Sequence, residues 1–361
     1  MTNILILTAS VGNGHNKAAQ SLREKFTGSG CDAVTVDFLE TSYNMNKLFC
    51  NMYKQVLQHK PILFRSICQI SENNKIGNIK YLLAAINSGS IGKIVGKYSP
   101  DVIICTHFFP LAAAAAYRKK YKAQFKLFAV VTDYVIHSVW QIENVDKYFI
   151  GHRSLCSQFG NNIRENDVIA SGIPVGRYFL PMKVIKVNKK ILVMTSLQSE
   201  SSMMDIINIM KKMPCDINVI FITGHDIKRQ QMLRHIAEHN KNFTIIGFTD
   251  QVASFMKNSD LIITKPGGIT ISEALAVGIP LLAYSPIPGI EESNAEFLQK
   301  NNLGYWAKNK KELYIMVQKF IKELPTRKKI NKKMLQLKMS KAAEIIKDDI
   351  LDYLAKKNKV A

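Results

Sequence analysis

The chain has 361 residues, 47% of them hydrophobic and 21% charged, with a formal net charge of +21. This length exceeds what one hydrophobic core usually serves, so two domains are expected, and the ordinary composition excludes a disordered chain. The cationic surplus points to a polyanionic partner (nucleic acid, anionic membrane or phosphorylated substrate) or, more blandly, to a solubilising surface.

Taken in chain order, short apolar runs alternate with amphipathic stretches. Ile4–Leu7 reads as a strand, Lys17–Phe26 as a helix and Ala33–Val36 as a strand. Further strands follow at Val102–Cys105, Phe125–Val131 and Lys147–Ile150, with a helix at Leu111–Lys120 between them. The polar, basic run 181–190 reads as a linker between a domain at 1–180 and a second at 191–325. The alternation then restarts: strands at Ile191–Met194, Asn218–Thr223, Phe243–Ile246, Leu261–Thr264 and Pro280–Ala283, helices at Met203–Met213, Lys228–Asn240, Val252–Asn258 and Thr270–Val277. Such alternation predicts two α/β domains, each with a parallel sheet covered on both faces. Residues 326–361 are expected to be basic helices that pack back on the first domain; from 308 onward the net charge is +10.

Six cysteines, at 31, 50, 68, 105, 156 and 215, have no metal or redox spacing and read as small buried hydrophobes in a reducing compartment. The first residues do not form a signal peptide, and no run approaches the roughly 20 apolar residues needed to span a bilayer. The expectation is a cytoplasmic protein, peripheral on the inner face of the cell membrane. No nucleic-acid-binding module is recognisable, so the charge is assigned to anionic lipid.

Three loops carry chemistry. Thr8-Ala9-Ser10-Val11-Gly12-Asn13-Gly14-His15 ends a strand and opens a helix. Its small residues allow close approach of a ligand, and the helix N-terminus offers free N–H groups to an anion. His15 there is expected to stay neutral and able to accept a proton from a hydroxyl, or else merely to cap the helix. Ile263-Thr-Lys-Pro-Gly-Gly-Ile-Thr-Ile-Ser-Glu273 repeats the strand–turn–helix pattern. Its Thr270 and Glu273 have either capping-box spacing or a role with phosphate and ribose. Pro286-Ile-Pro-Gly-Ile-Glu-Glu-Ser-Asn294 puts two carboxylates in a first helical turn.

Together these residues resemble the monogalactosyldiacylglycerol synthase and processive diacylglycerol glucosyltransferase family and, more distantly, the peptidoglycan N-acetylglucosaminyltransferase that acts on lipid I. The matching pieces also include Thr106-His-Phe-Phe-Pro110, Val130-Val-Thr-Asp133 with His137 and Trp140, Gly172-Ile-Pro-Val175 and Gly247-Phe-Thr-Asp250. The resemblance implies a GT-B fold, two Rossmann-like domains whose sheets face a central cleft, and inverting transfer from a UDP-sugar to a lipid, most naturally diacylglycerol, with no metal and no cofactor. It implies His15 as base. Asp133 closes the strand Phe125–Val131, so in a parallel sheet it emerges at the same edge, to orient the imidazole or to take part in acceptor binding. The implied donor-binding set is Gly14, Phe248, Thr249, Lys265, Gly267, Gly268, Ile269, Thr270, Glu273, Ile290, Glu291 and Asn294. Within that set, Thr249 would meet the uracil, Gly267, Gly268 and Thr270 the diphosphate, Glu273 the ribose and Glu291 the hexose.

The chain departs from the family pattern twice: 194–202 contains no glycine where relatives have a glycine-rich loop, and Ile290 stands where relatives usually have glutamine. Residues 47–70 interleave large apolar groups with Lys and Arg and contain no acid, which suits a membrane interface or a packed helical hairpin. Phe49, Tyr53, Phe64 and Arg65 there, with Pro110 and Trp140, form the expected acceptor and membrane set. Two other readings are a UDP-N-acetylglucosamine-using transferase or epimerase-like enzyme, and a UDP-sugar-binding protein with decayed activity. Oligomeric state has no sequence signature.

Overall fold

The structure, a computed structural model, describes residues 1–10, 13–40, 90–182, 187–195, 198–323 and 332–358. The chain divides into two compact units: Met1–Arg177 with Pro288–Ile290 and Lys341–Ala361, and Tyr178–Ile287 with Glu291–Ser340. The boundary thus falls before the basic run 181–190. The basic C-terminal region is itself divided, residues up to Ser340 counting with the second unit and those from Lys341 with the first.

The first unit holds strands β1 (Asn3–Thr8), β2 (Asp32–Asp37), β3 (Val102–Cys105), β4 (Lys126–Val130), β5 (Lys147–Phe149) and β6 (Val168–Ile169). They form one parallel sheet in the order β2-β1-β3-β4-β5-β6. β3 is buried at every position and β1 at all but its first, as an apolar run covered on both faces must be. Helix α1 (Asn13–Thr27) turns Ala18, Ala19, Leu22 and Phe26 inward; a second helix, α2, covers 90–98, and α3 spans Phe108–Tyr121.

In the second unit β7 (Lys190–Met194), β8 (Asn218–Ile222), β9 (Phe243–Ile246), β10 (Leu261–Thr264), β11 (Leu281–Tyr284) and β12 (Tyr305–Ala307) form a parallel sheet in the order β12-β11-β10-β7-β8-β9. Counted within the unit this is the 3-2-1-4-5-6 order of the dinucleotide-binding fold. Its helices are α4 (Glu200–Met210), α5 (Ile227–Glu238), α6 (Val252–Lys257), α7 (Gly268–Val277), α8 (Ile290–Lys300), α9 (Lys310–Lys322) and α10 (332–336). Its core joins Val193, Met203, Ile206, Phe221 and Ile263 to Leu313, Val317 and Phe320 of α9.

Two parallel six-stranded sheets with flanking helices are the expected GT-B architecture. The final helix, α11 (Ala342–Asn358), belongs to the first unit. Its Ala343, Ile346 and Ile350 join Ile4, Leu22, Phe26, Ile104 and Phe128 in that unit's core. Lys147 pairs with Asp349 at 2.6 Å, and Tyr353 donates to Asp146, which also holds Arg118 and the Leu127 amide.

The cysteines differ in part from expectation. Cys31 and Cys105 are buried, Cys156 is half-buried, and Cys215 is exposed because it lies in the turn between α4 and β8. Cys50 and Cys68 lie outside the described residues. Among the described residues no helix is long and apolar enough to cross a membrane.

Candidate active site

In both sheets the strand order reverses beside the unit's first strand, between β1 and β3 and between β7 and β10. Such a switch point, at the carboxyl ends of the strands, is where open α/β sheets bind ligands. The three loops singled out in the sequence leave their strands at these carboxyl ends.

His15 is the third residue of α1 and half-buried. Its Nδ1 lies 2.9 Å from the Thr106 carbonyl, just past β3, and 2.8 Å from Thr132 Oγ1, just past β4. A carbonyl oxygen can only accept, so Nδ1 carries the proton and Nε2 keeps a free lone pair. Asn16 ties α1 back to the end of β1: Thr8 Oγ1 donates to Asn16 Oδ1 and Asn16 Nδ2 donates to Ser10 Oγ, both at 2.8 Å. Burial pulls the His15 pKa below the ordinary value of 6.5, against the raising effects of the Asp133 carboxylate and the Thr106 carbonyl. The neutrality expected from the helix dipole therefore has burial as its main cause.

His107 was quoted in the sequence only as part of a motif. The structure places its ring edge-on to His15, with centroids 4.6 Å apart. Its Nδ1 accepts from the Phe109 amide as the N-cap of α3, so in the neutral ring Nε2 carries the proton. Burial first, and His15 second, push its pKa well below the ordinary value. Phe108 stacks on His107 at 4.4 Å and meets Trp140 edge-on at 6.3 Å, extending an aromatic array from His15. Trp140 and Pro110, expected in the acceptor and membrane set, are both buried. Phe49, Tyr53, Phe64 and Arg65 lie outside the described residues.

In the second unit Gly267 is the N-cap of α7 and gives no side-chain cap. The amides of Gly268, Ile269 and Thr270 therefore fall in the first turn, where no intrahelical partner exists. The capping-box reading of Thr270 and Glu273 is corrected: the helix starts two residues earlier, and Glu273 sits in its second turn, 1% exposed. The turn before α7 is laced from behind. Lys265 Nζ pairs with Glu291 Oε1 at 2.9 Å, the Ile287 amide donates to Glu291 Oε2 at 2.7 Å, and Asn294 Nδ2 donates to the Pro266 carbonyl at 3.0 Å. Glu291 thus has a protein partner on each oxygen, and Asn294, fully buried, shapes the turn. Phe248 is 65% exposed and its ring stacks on His225 at 4.2 Å. Thr249 Oγ1 accepts from the Gln251 amide. Gly14, Ile290 and Thr270 are half-buried, and Ile269 is buried. His107 and Thr132 entered the sequence reading only inside the Thr106–Pro110 and Val130–Asp133 motifs, and His225 and Gln198 carried no signal beyond their place after a strand.

Residues 15–175 match the monogalactosyldiacylglycerol synthase family, and residues 186–350 match the glycosyltransferase family 28 C-terminal domain. The chain is a glycosyltransferase that carries these two domains in tandem. A processive diacylglycerol beta-glucosyltransferase of Bacillus subtilis is 27% identical over 369 residues, covering 96% of this chain and 94% of the relative. One from Staphylococcus epidermidis is 26% identical over 379 residues, covering 97% and 93%. Among solved structures, Acinetobacter baumannii MurG superposes with a TM-score of 0.66 at 12% identity, over 98% of this chain and 100% of that one. The Anabaena protein HepE in complex with UDP and glucose gives 0.58 at 13%, over 99% and 100%. A Neisseria meningitidis UDP-GlcNAc 2-epimerase gives 0.61 at 13%, over 97% and 99%, so the fold by itself does not separate transferase from epimerase. The family domains do: this glycosyltransferase has the His15 helix start in the first matched domain and the Lys265–Glu273 loop in the second.

Proposed function

We propose that the protein transfers a hexose from a UDP-sugar to the hydroxyl of diacylglycerol with inversion, at the cytosolic membrane surface and without a metal. The observation that carries the reading is the His15 tautomer: Nδ1 is committed to the Thr106 carbonyl, which leaves Nε2 as a proton acceptor. As the acceptor oxygen attacks the anomeric carbon, its proton passes to Nε2. The bond from that carbon to the phosphate oxygen breaks, and its electron pair leaves with UDP. The uncapped first turn of α7 meets the negative charge of the departing diphosphate, a role suited to preorganised amides. Phe248 and Thr249 take the uracil and Glu273 the ribose hydroxyls. Asp133, whose charge is felt at His15, favours the imidazolium formed in the transfer.

The lipid acceptor is supported by the curated relatives, which are named for diacylglycerol. The anionic surface is supported by the net charge of +21. The test pairs UDP-glucose, UDP-galactose and UDP-N-acetylglucosamine with diacylglycerol in phosphatidylglycerol vesicles, in EDTA, with products read by mass spectrometry. Glycosyl-diacylglycerol from one of these donors is expected. Donor turnover without lipid would favour the epimerase-like reading. UDP binding with no turnover of any kind would leave a binding protein.

A further inference from the structure

The loop after β7 contains no glycine, yet it lies at the switch point of the second sheet, where β7 neighbours β10 and the Lys265–Gly268 turn. Its described residues are anchored on both sides. Arg229 of α5 donates one guanidinium N–H to the Thr195 carbonyl and another to the Gln198 carbonyl at 2.9 Å, and is itself paired with Asp226. On the far side Ser199 caps α4 through the Ser202 amide, and Ser202 Oγ donates to Ser285 Oγ at 2.7 Å.

Between these two anchors sits Gln198, 4% exposed. Neither its Nε2 nor its Oε1 makes a hydrogen bond, although both atoms are buried. A buried carboxamide with both ends unpaired is strongly unfavourable, and nearly all such groups in native proteins find partners. Its backbone is fixed by Arg229, so the chain gives the amide little freedom to move to a partner of its own.

We propose that Gln198 is a sugar-recognition residue of the donor site, its Oε1 accepting from one hydroxyl of the donor hexose and its Nε2 donating to another. The inference rests on the reading of the second unit as the UDP-sugar domain. The chemistry selects among the parts of such a donor. Phosphate oxygens only accept, so a diphosphate would satisfy Nε2 and leave Oε1 unpaired. Uracil could satisfy both, but the exposed Phe248 ring stands at the end of β9, two strands from β7. Hexose hydroxyls both donate and accept, and two of them satisfy both ends of the amide.

The experiment compares equilibrium binding of UDP and of UDP-glucose, UDP-galactose and UDP-N-acetylglucosamine to the full chain and to Gln198→Met, with Gln198→Leu as a second apolar variant of similar size. At least one UDP-sugar should bind the variants about tenfold or more weakly, while UDP binds within about twofold of the wild type. Without ligand the variants should melt no lower than the wild type, because an unpaired amide has been replaced by an apolar group. Unchanged UDP-sugar binding would make Gln198 a bystander. An equal loss for UDP would make it a phosphate or base contact, and a lower melting temperature would make it a structural residue; each result overturns the proposal. A wild-type protein that binds neither UDP nor any UDP-sugar would instead sink the donor-domain reading, and the inference with it.

Discussion

His15 Nε2 owes its lone pair to an oxygen that cannot donate, and this gives the site a definite pH response. The His15 pKa lies below 6.5, so kcat/KM should hold at neutral pH and fall only as the solution is acidified through that lowered value. His15→Ala should lose about 10²–10⁴-fold in transfer rate while keeping UDP affinity, read from initial rates beside a UDP titration of the same preparation. A parallel loss of UDP affinity would make His15 a donor-site group instead. His15 and His107 also bear on stability. Both have folded pKa values below the unfolded one, so below pH 6.5 the unfolded chain binds more protons and stability falls with pH toward the lowered values. His107→Asn keeps an N-cap acceptor but cannot titrate, and should flatten the drop in Tm between pH 6.5 and 5. Glu273→Ala should cost roughly 1–3 kcal/mol in UDP affinity by calorimetry in EDTA, if ribose hydrogen bonds are lost. The sequence showed His15 because a histidine after Gly-x-Gly at a helix start is a local pattern. Its partners Thr106 and Thr132 come from distant strands, and which of a residue's polar atoms stay unbonded, as at Gln198, depends on packing that has no local signature.

The strands and helices were legible for a related reason. Parallel strands buried on both faces read as unbroken apolar runs, and Val102–Cys105, Phe243–Ile246 and Leu261–Thr264 have the bounds their sequences predict. β6 and β12, with two and three residues, are too short to have a period and were missed. The start of α7 was placed two residues late because a glycine N-cap lacks the side-chain signal of a capping box. The same stretch makes an energetic prediction. Lys265 and Glu291 are 10% and 13% exposed at their side chains, so Glu291→Ala strands a nearly buried ammonium and should cost about 3 kcal/mol in urea unfolding. The double variant Lys265→Met with Glu291→Leu should recover much of that loss, because it removes both charges together. A double variant as unstable as the single one would show that the carboxylate matters chiefly through the Ile287 amide.

For the whole molecule, charge and chain path set the behaviour. A net charge of +21 should bind phosphatidylglycerol vesicles in flotation and release them in high salt, because the attraction acts over a Debye length of about 8 Å at physiological ionic strength. Equal flotation with neutral vesicles would assign attachment to apolar contacts. The path of the chain is less legible from sequence, since a basic helix at the end does not reveal which core it completes. α11 puts Ile346 and Ile350, both fully buried, into the core built on β1, β3 and β4. During synthesis that core must wait. At about 5–20 residues per second, the second unit takes on the order of ten seconds to emerge after the first sheet is made. Throughout that interval the nascent first unit lacks the helix that closes its apolar face. It then exposes apolar surface of the kind chaperones bind, and a ribosome that stalls or a message cut short near residue 340 leaves a protein whose damage appears at the opposite end of its sequence.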